Sequence, residues 1–264
     1  MEDEIQKLSI IRVTEKDRNT IEDLVTRELP LTIILNNQEL VTLLCSPKNL
    51  KYLAVGFLSS EGLIKGKDEI KSITLDDKKG VVRIQTQEDT GFSNELIFKR
   101  FITSGCGKGA SFYSVADLQG QTRIESQMTI SAREILNLVR EFQHRSQIYR
   151  TTGGVHSAAL CDRTGSLVFA EDIGRHNAID KIFGQCLLED MPTDEHLIVT
   201  SGRISSEILL KVAKRNIPIL ISKSAPTDLG VSLADELGIT LIGFVRGKRM
   251  NVYTHDWRVK TNAE

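Results

Sequence analysis

Apolar positions in the first third of the chain predict a small mixed unit of strands and one helix. Residues 31–35 and 39–44 are apolar runs that flank Asn36-Asn37, a dipeptide typical of a β-hairpin turn. Apolar side chains between 50 and 58 then recur at helical spacing, with Ser46 expected as the N-cap and Gly62 as the end. Two more strands are predicted near 70–75 and 81–87. Residues before about 26 show no clear period and predict a loosely held arm.

The second half of the chain alternates between strand and helix patterns. The capping box Ser131-Ala132-Arg133-Glu134 opens a helix, and a hairpin turn is expected at 162–165. An apolar helix follows over about 179–187. Strands at 197–200, 217–221 and 240–245 are separated by helices near 208–213 and 228–237. Short apolar strands alternating with helices predict parallel strands with helices packed on their faces.

These patterns divide the chain into three parts: an arm at 1–26, a small α+β domain at 27–125, and an α/β domain at 126–264. Residues from about 100 to 125 carry glycine, serine and polar side chains without a sustained period. A loop of this length is typically either functional or disordered.

Three segments are expected at the carboxyl edge of the parallel strands, where ligands bind in such sheets. They are 200–206, 222–228 and 244–249, and the first two lead into helices. Helix N-termini attract phosphate, and cations in these segments would strengthen that attraction. The contributing residues are Ser201, Gly202, Arg203, Lys223, Arg246, Lys248 and Arg249. The segments predict a phosphorylated or nucleotide-bearing ligand, against the alternative of simple helix caps and a solvated charged face.

Cys106 is the candidate reactive residue because it lies in the glycine-rich loop and is followed by Lys108. Backbone N–H groups and a nearby cation favour the thiolate, the nucleophilic form of cysteine. Cys161 and Cys186 fit buried apolar positions, and Cys45 carries no such signal. No cysteine pair has metal-ligand spacing, and no structural metal is expected.

Composition narrows the class of partner. The net charge of −1 and an aromatic content of 5% argue against a nucleic-acid-binding protein. The acidic start of the chain lacks the features of a secretory signal, and no apolar run reaches the length of a membrane span. The expected location is the cytoplasm, without membrane attachment.

Two histidines follow glycine-bearing stretches, and two interpretations stand for each. His156 and His176 could carry protons near neutral pH, or they could be hydrogen-bonded structural residues. The charged residues around His176 are expected to form a salt-bridged helix start; they are Asp172, Arg175, Asp180 and Lys181.

From about Glu28 to His255 the chain resembles the FdhD family, the formate dehydrogenase accessory sulfurtransferases. The resemblance rests on blocks in a fixed order, among them Ser104-Gly105-Cys106-Gly107, Thr152-Gly153-Gly154-Val155-His156, Glu171-Asp172-Ile173-Gly174-Arg175-His176-Asn177-Ala178, Thr200-Ser201-Gly202-Arg203, Ser224-Ala225-Pro226-Thr227 and Gly243-Phe244-Val245-Arg246-Gly247. Each block alone is weak, and together they are specific.

The resemblance implies a cytidine-deaminase-like three-layer α/β sandwich with a smaller N-terminal α+β domain, usually as a homodimer. It implies that Cys106 accepts sulfur from a cysteine desulfurase as a persulfide. The sulfur would pass to the molybdenum bis(guanine dinucleotide) cofactor before formate dehydrogenase receives it. The segment that matches the family's cofactor-binding segment comprises Phe244, Val245, Arg246, Gly247, Lys248 and Arg249. The family commonly carries Cys-Gly-x-Cys in the loop, whereas Gly109 occupies the second cysteine position here.

Two other functions compete with sulfur transfer. A zinc-dependent deaminase needs H-x-E and P-C-x-x-C, but His156 is followed by Ser157-Ala158 and the chain contains no C-x-x-C. A non-catalytic carrier or chaperone of the molybdenum guanine dinucleotide cofactor would keep the ligand site without moving sulfur. Persulfide formation on Cys106 distinguishes the carrier from the transferase.

Overall fold

A computed structural model describes residues 4–87 and 123–261. The chain begins with an antiparallel hairpin of β1 (Ile5–Val13) and β2 (Arg18–Thr26). These residues thus form a regular hairpin, although their sequence shows no clear period. A hydrogen bond of 2.8 Å between the hydroxyls of Thr26 and Thr152 holds it against the larger unit.

The small α+β unit is confirmed, with a four-stranded sheet in the order β4-β3-β6-β5. Its elements are β3 (Leu29–Leu35), β4 (Gln38–Cys45), α1 (Leu50–Ser60), β5 (Ile70–Asp76) and β6 (Val81–Thr86). Helix α1 packs its apolar face on this sheet, as the helical spacing predicts. Ser46 does not cap it, because Asn49 takes a left-handed φ of 58° at the N-cap and the helix starts only at Leu50.

The larger unit is a six-stranded sheet in the order β13-β12-β11-β10-β8-β9. Its strands are β8 (His156–Cys161), β9 (Ser166–Asp172), β10 (Leu197–Thr200), β11 (Ile219–Ser222), β12 (Thr240–Arg246) and β13 (Arg249–Val252). Strands β10, β11 and β12 are parallel, as predicted, and the outer pairs are antiparallel. A short parallel pair of β7 (Ile130–Ser131) and β14 (Val259–Lys260) lies outside this sheet.

Helices cover both faces of the six-stranded sheet, which confirms the three-layer α/β sandwich. They are α2 (Ala132–Arg145), α3 (Gln147–Thr152), α4 (Arg175–Leu188), α5 (Ser206–Ala213) and α6 (Asp228–Glu236). The predicted capping box of Ser131 and Glu134 opens α2, which packs on one face. Helices α4, α5 and α6 pack on the other. Among the helices of the described ranges, none combines the length and the apolar character that crossing a bilayer requires.

The two units meet where α1 crosses α4 at two glycines. A Cβ added at residue 184 would lie 1.8 Å from the carbonyl oxygen of Tyr52, and one at residue 56 would lie 1.8 Å from that of Asp180. Only glycine allows the two backbones to approach this closely. The crossing therefore fixes how the small unit lies on the sandwich.

Two buried ion pairs complete this junction. Lys181 binds the Asp172 carboxylate at 2.6 Å, and that carboxylate also accepts the backbone N–H of Ser46 at 3.0 Å. Lys211 on α5 binds Asp180 at 2.7 Å. The expected salt-bridged helix start is confirmed only in part: Lys181 pairs with Asp172 and both are buried, Asp180 pairs with Lys211 from another helix, and Arg175 forms no ion pair with any described residue. The two pairs join α4 to the neighbouring elements.

Candidate functional site

The carboxyl edge of the parallel strands opens into a cavity of about 890 Å³, here named the central cavity. The loops after β10 and β11 supply Ser201, Lys223 and Ser224, and the end of β12 with the turn after it supplies Arg246 and Gly247. Helix α2, helix α3 and the start of β8 supply the opposite wall. The three segments that the sequence places at this edge therefore do converge on one site, as parallel topology requires.

Cations dominate the polar lining of the central cavity. They are Arg140, Arg150, Lys223 and Arg246, with the imidazoles of His144 and His156 beside them. No Asp or Glu belongs to the lining contributed by the described residues. The exposed ring of Tyr149 adds an apolar surface on the same wall. Fixed positive charge without a neutralising carboxylate suits an anionic ligand, and an adjacent aromatic ring suits an attached base.

The tip of the β12–β13 hairpin is shaped to present Arg246. The ladder between β12 and β13 shifts register between Gly243 and Arg246, and Phe244 takes a left-handed φ of 51°. Such bulges redirect the side chains that follow them. The Arg246 guanidinium lies 5.7 Å from the centre of the Phe244 ring, and its Nε donates to the carbonyl of Lys223 at 3.5 Å.

Lys223 carries its charge at some electrostatic cost. Burial lowers the pKa of its ammonium below the ordinary lysine value, and the positive charge of Arg246 lowers that pKa further. A bound phosphate would relieve both effects, because it is a counter-charge for the two cations. The geometry therefore favours occupation by an anion.

His156 borders the cavity as a neutral imidazole. Burial lowers its pKa, and the charges of Arg175 and Arg203 lower it further. Ser201 Oγ accepts the backbone N–H of Ser157 at 2.9 Å and lies 3.4 Å from Nδ1 of His156. His156 therefore offers an uncharged imidazole, with one donor and one acceptor nitrogen, at the edge of the cavity.

Helix α3 and its neighbours hold the wall opposite the strand loops. The Glu171 carboxylate accepts the backbone N–H of Tyr149 at 3.2 Å and that of Ile148 at 3.3 Å. Burial raises the pKa of Glu171. Gly153 ends the helix with a φ of 68°, and a Cβ at residue 154 would lie 2.5 Å from Thr26 Oγ1. Gly153 thus provides a left-handed turn, and Gly154 allows a close approach to the N-terminal hairpin.

The structure separates the predicted ligand residues into two groups. Ser201, Lys223, Arg246 and Gly247 line the central cavity. The other predicted residues do not line it. Phe244 lies beside the Arg246 guanidinium, Val245 is buried in the core, and Gly202 packs against Arg175. Lys248 lines a neighbouring depression, and the side chains of Arg203 and Arg249 are exposed outside the cavity. The sequence did not predict four lining residues: Arg140, His144, Tyr149 and Arg150. In the sequence they stand out only as polar or aromatic positions on the solvent side of amphipathic helices.

Cys106 lies outside the described residues. The other three cysteines are buried, and burial raises the pKa of Cys45 and Cys161 to about 12 and that of Cys186 to about 11. Their thiols are therefore protonated at neutral pH and are poor nucleophiles. The expectation that Cys161 and Cys186 are buried apolar residues is confirmed. Within 4–87 and 123–261, no three His, Cys, Asp or Glu side chains group as metal ligands.

Comparisons with known proteins place the chain in a family. The sequence pattern of the FdhD/NarQ family matches residues 26–260. The chain is 47% identical over 237 residues to the sulfur carrier protein FdhD of Bacillus pumilus, covering 90% of both chains. It is 46% identical over 249 residues to that of Bacillus subtilis, covering 94% of this chain and 95% of the relative.

A solved structure is also similar. The crystal structure of a putative formate dehydrogenase accessory protein from Desulfotalea psychrophila superposes with a TM-score of 0.80 at 26% identity, covering 97% of this chain and 99% of the other. The fold and the ordered motifs thus agree with the sequence matches, and the chain belongs to the FdhD/NarQ family.

Proposed function

We propose that this protein is a sulfur carrier and sulfurtransferase in the maturation of a formate dehydrogenase. It would take sulfur from a cysteine desulfurase as a persulfide on Cys106 and pass it to the molybdenum bis(guanine dinucleotide) cofactor. The observation that carries the proposal is the central cavity, whose described lining holds four cations and no carboxylate. Relatives that are 46–47% identical to it over 237–249 aligned residues carry the name sulfur carrier protein FdhD.

The chemistry of loading needs only one thiol. The Cys106 thiolate would attack the outer sulfur of the desulfurase persulfide, form a new S–S bond and displace the desulfurase cysteine as a thiolate. No net oxidation occurs in this exchange. Release of the carried sulfur as sulfide requires two electrons, which two thiol molecules would supply as they form a disulfide. Gly109 in the companion position is compatible with this route.

The described residues of the central cavity would bind the cofactor and would not take part in the transfer of sulfur. Lys223 and Arg246, which both line the cavity, would bind a diphosphate, and guanine would stack on the Tyr149 ring. His156 would donate a hydrogen bond without adding charge. A homodimer, as the family resemblance implies, and a cytoplasmic location, as the composition of the chain favours, complete the proposal.

Mass spectrometry of Cys106 tests the sulfur step. After incubation with a cysteine desulfurase and cysteine, the peptide containing Cys106 should gain one sulfur atom, and Cys106→Ala should neither gain sulfur nor support maturation of formate dehydrogenase. Cys45, Cys161 and Cys186 serve as internal controls, because their buried protonated thiols should stay unmodified. Normal maturation with Cys106→Ala would leave the non-catalytic carrier as the function.

A matched pair of arginines tests the cavity. Arg246 and Arg249 oppose each other on the β12–β13 hairpin, but only Arg246 lines the central cavity. Arg246→Gln should weaken GDP binding by about tenfold, the loss of roughly one charge-assisted contact, whereas Arg249→Gln should leave it unchanged. Persulfide loading should persist in both variants. Equal effects of the two substitutions on GDP binding would mean that the cavity is not the nucleotide site.

A further inference from the structure

Helix α3 has few contacts of its own that could fix its position. It has six residues, fewer than the roughly 12–15 that an isolated helix needs in water. Ile148 is its one buried side chain, so apolar packing on the sandwich is small. Its N-cap, Ser146, makes no capping hydrogen bond, because its hydroxyl bonds with Phe142 and Ser157 instead. The position of α3 therefore depends on contacts from other elements.

The start of α3 is capped by a residue of β9. Two backbone N–H groups of its first turn, those of Ile148 and Tyr149, donate to the Glu171 carboxylate at 3.3 and 3.2 Å. The same carboxylate accepts the hydroxyl of Ser157 at 3.4 Å. Helix N-termini leave such N–H groups unpaired, and the positive end of the helix dipole favours a carboxylate. Glu171 thus supplies the cap that Ser146 does not.

The end of α3 is bound to the N-terminal hairpin. The hydroxyl of Thr152, the last residue of the helix, lies 2.8 Å from that of Thr26, the last residue of β2. Oγ1 of Thr152 also accepts the backbone N–H of Gly154 at 3.1 Å. Two elements that are distant in sequence, β9 and β2, therefore hold the two ends of one short helix.

Between these two contacts, α3 carries part of the cavity wall. Tyr149 and Arg150 lie in the middle of the helix and line the central cavity, whereas Glu171 and Thr26 are not among the residues that line it. Binding groups need supporting contacts that hold them within about 0.5 Å of their productive geometry. A small displacement of α3 would therefore move two lining side chains together.

We propose that Glu171 and Thr26 are positioning residues for the central cavity: they fix α3, and through it the affinity for the ligand, without touching that ligand. The inference rests on the proposed function, because GDP is the probe of the cavity. The hairpin of β1 and β2 thereby acquires a role in ligand binding, although it lies almost wholly outside residues 26–260, which match the family.

A double-mutant cycle tests whether Glu171 acts through α3. Glu171→Met should weaken GDP binding to the full chain, measured by isothermal titration calorimetry, by about three- to tenfold, the range for losing one helix cap. In a background that carries Tyr149→Ala and Arg150→Ala, the same substitution should change the GDP affinity by less than about twofold, because the side chains that α3 positions are gone. Losses of equal size in both backgrounds would overturn the proposal.

Matched variants separate positioning from a general loss of stability. Asp162, at the opposite end of the β8–β9 hairpin, likewise accepts two backbone N–H groups, those of Thr164 and Gly165. Asp162→Ala should leave the GDP affinity unchanged, and an equal loss there would mean that affinity follows stability. Glu171→Gln keeps an acceptor oxygen and should retain part of the affinity lost in Glu171→Met. Thr26→Val should weaken GDP binding by about two- to threefold, the low end for one neutral hydrogen bond.

Hydrogen exchange tests the same contacts without any ligand. In Glu171→Met, the peptide that contains the N–H groups of Ile148 and Tyr149 should exchange several-fold faster than in the wild type, while exchange in α6 stays unchanged. If exchange is faster but the wild type does not bind GDP, the nucleotide ligand of the proposed function is wrong and the positioning of α3 stands. Unchanged exchange at α3 would overturn the positioning role whatever the protein binds.

Discussion

The cations at the junction and those at the central cavity face opposite surroundings. Lys181 and Lys211 are 1% and 5% exposed, and each binds an aspartate of the same interior. Lys223 and Arg246 face a cavity whose described lining contains no carboxylate. The fold neutralises its interior charges internally and leaves those of the cavity for a ligand. Substitutions at the junction should therefore change stability, and those at the cavity should change binding.

The strongest test of this contrast removes a junction cation. Lys181→Met should lower the free energy of unfolding by about 3–5 kcal/mol, because Asp172 would remain buried without its counter-charge. Guanidinium unfolding measures the loss. The double variant Lys181→Met with Asp172→Asn should lose less, since it buries no unpaired charge. A loss below about 1 kcal/mol in the single variant would contradict the assignment.

The glycine crossing gives the next largest effect. Gly184→Ala should lower the free energy of unfolding by about 3 kcal/mol, because the new methyl group would overlap the carbonyl of Tyr52. Gly165→Ala is a suitable control, since a Cβ there would lie 3.8 Å from its nearest neighbours in the Glu141 carboxylate. Similar losses in the two variants would show that the helices separate easily at the crossing.

Removing a cation from the central cavity should weaken ligand binding and leave the free energy of unfolding nearly unchanged. Lys223→Gln should weaken GDP binding by about tenfold and change the free energy of unfolding by less than about 0.5 kcal/mol. Because the pKa of Lys223 is lowered, its charge is lost as pH rises at a lower pH than for an ordinary lysine. Wild-type affinity should begin to fall as pH rises while still below the ordinary lysine pKa of about 10.4, whereas Lys223→Arg should hold its affinity over the same range. If the GDP affinities of the wild type and of Lys223→Arg fall in parallel as pH rises, Lys223 is not the titrating group.

The smallest expected effect comes from an exposed ion pair, which tests whether burial, rather than pairing alone, makes the junction ion pairs important for stability. Lys67 and Asp190 form an ion pair whose side chains are 47% and 70% exposed. Lys67→Ala should change the free energy of unfolding by at most about 0.5 kcal/mol, because solvent screens exposed pairs. Guanidinium unfolding of Lys67→Ala and of Lys181→Met under the same conditions compares the two losses of free energy. A loss as large as that of Lys181→Met would mean that pairing, not burial, determines the energy.

The sequence predicts well those elements whose signals are local. The predicted capping box of α2 is present, and the predicted lead of segment 222–228 into a helix is also present, with Thr227 Oγ1 accepting the N–H of Gly230 at 3.1 Å. The parallel order of β10, β11 and β12 follows from the alternation of strands and helices. That order is sufficient to bring Ser201, Lys223 and Arg246 to one edge.

What the sequence does not predict depends on contacts between distant residues. The strands β1 and β2 form a two-stranded ribbon with much of its surface exposed to solvent. Because neither face is fully buried, the alternation of apolar and polar residues that identifies a half-buried strand is weak there. Ser46 has the residue type of a helix cap, yet its backbone N–H binds Asp172, 126 residues away. Arg140 and Arg150 enter the site because α2 and α3 form its opposite wall, a relation without local sequence signal. The three-part domain division and the role of Cys106 remain predictions.

The burial of three cysteines has a practical consequence for labelling the protein. Cys45, Cys161 and Cys186 are closed to solvent and protonated at neutral pH, so an electrophile should spare them as long as the fold persists. Any rapid alkylation of the native chain then belongs to Cys106. A fluorophore or spin label could be attached there without removing the other thiols, and exposure of the remaining three would report unfolding in the same experiment.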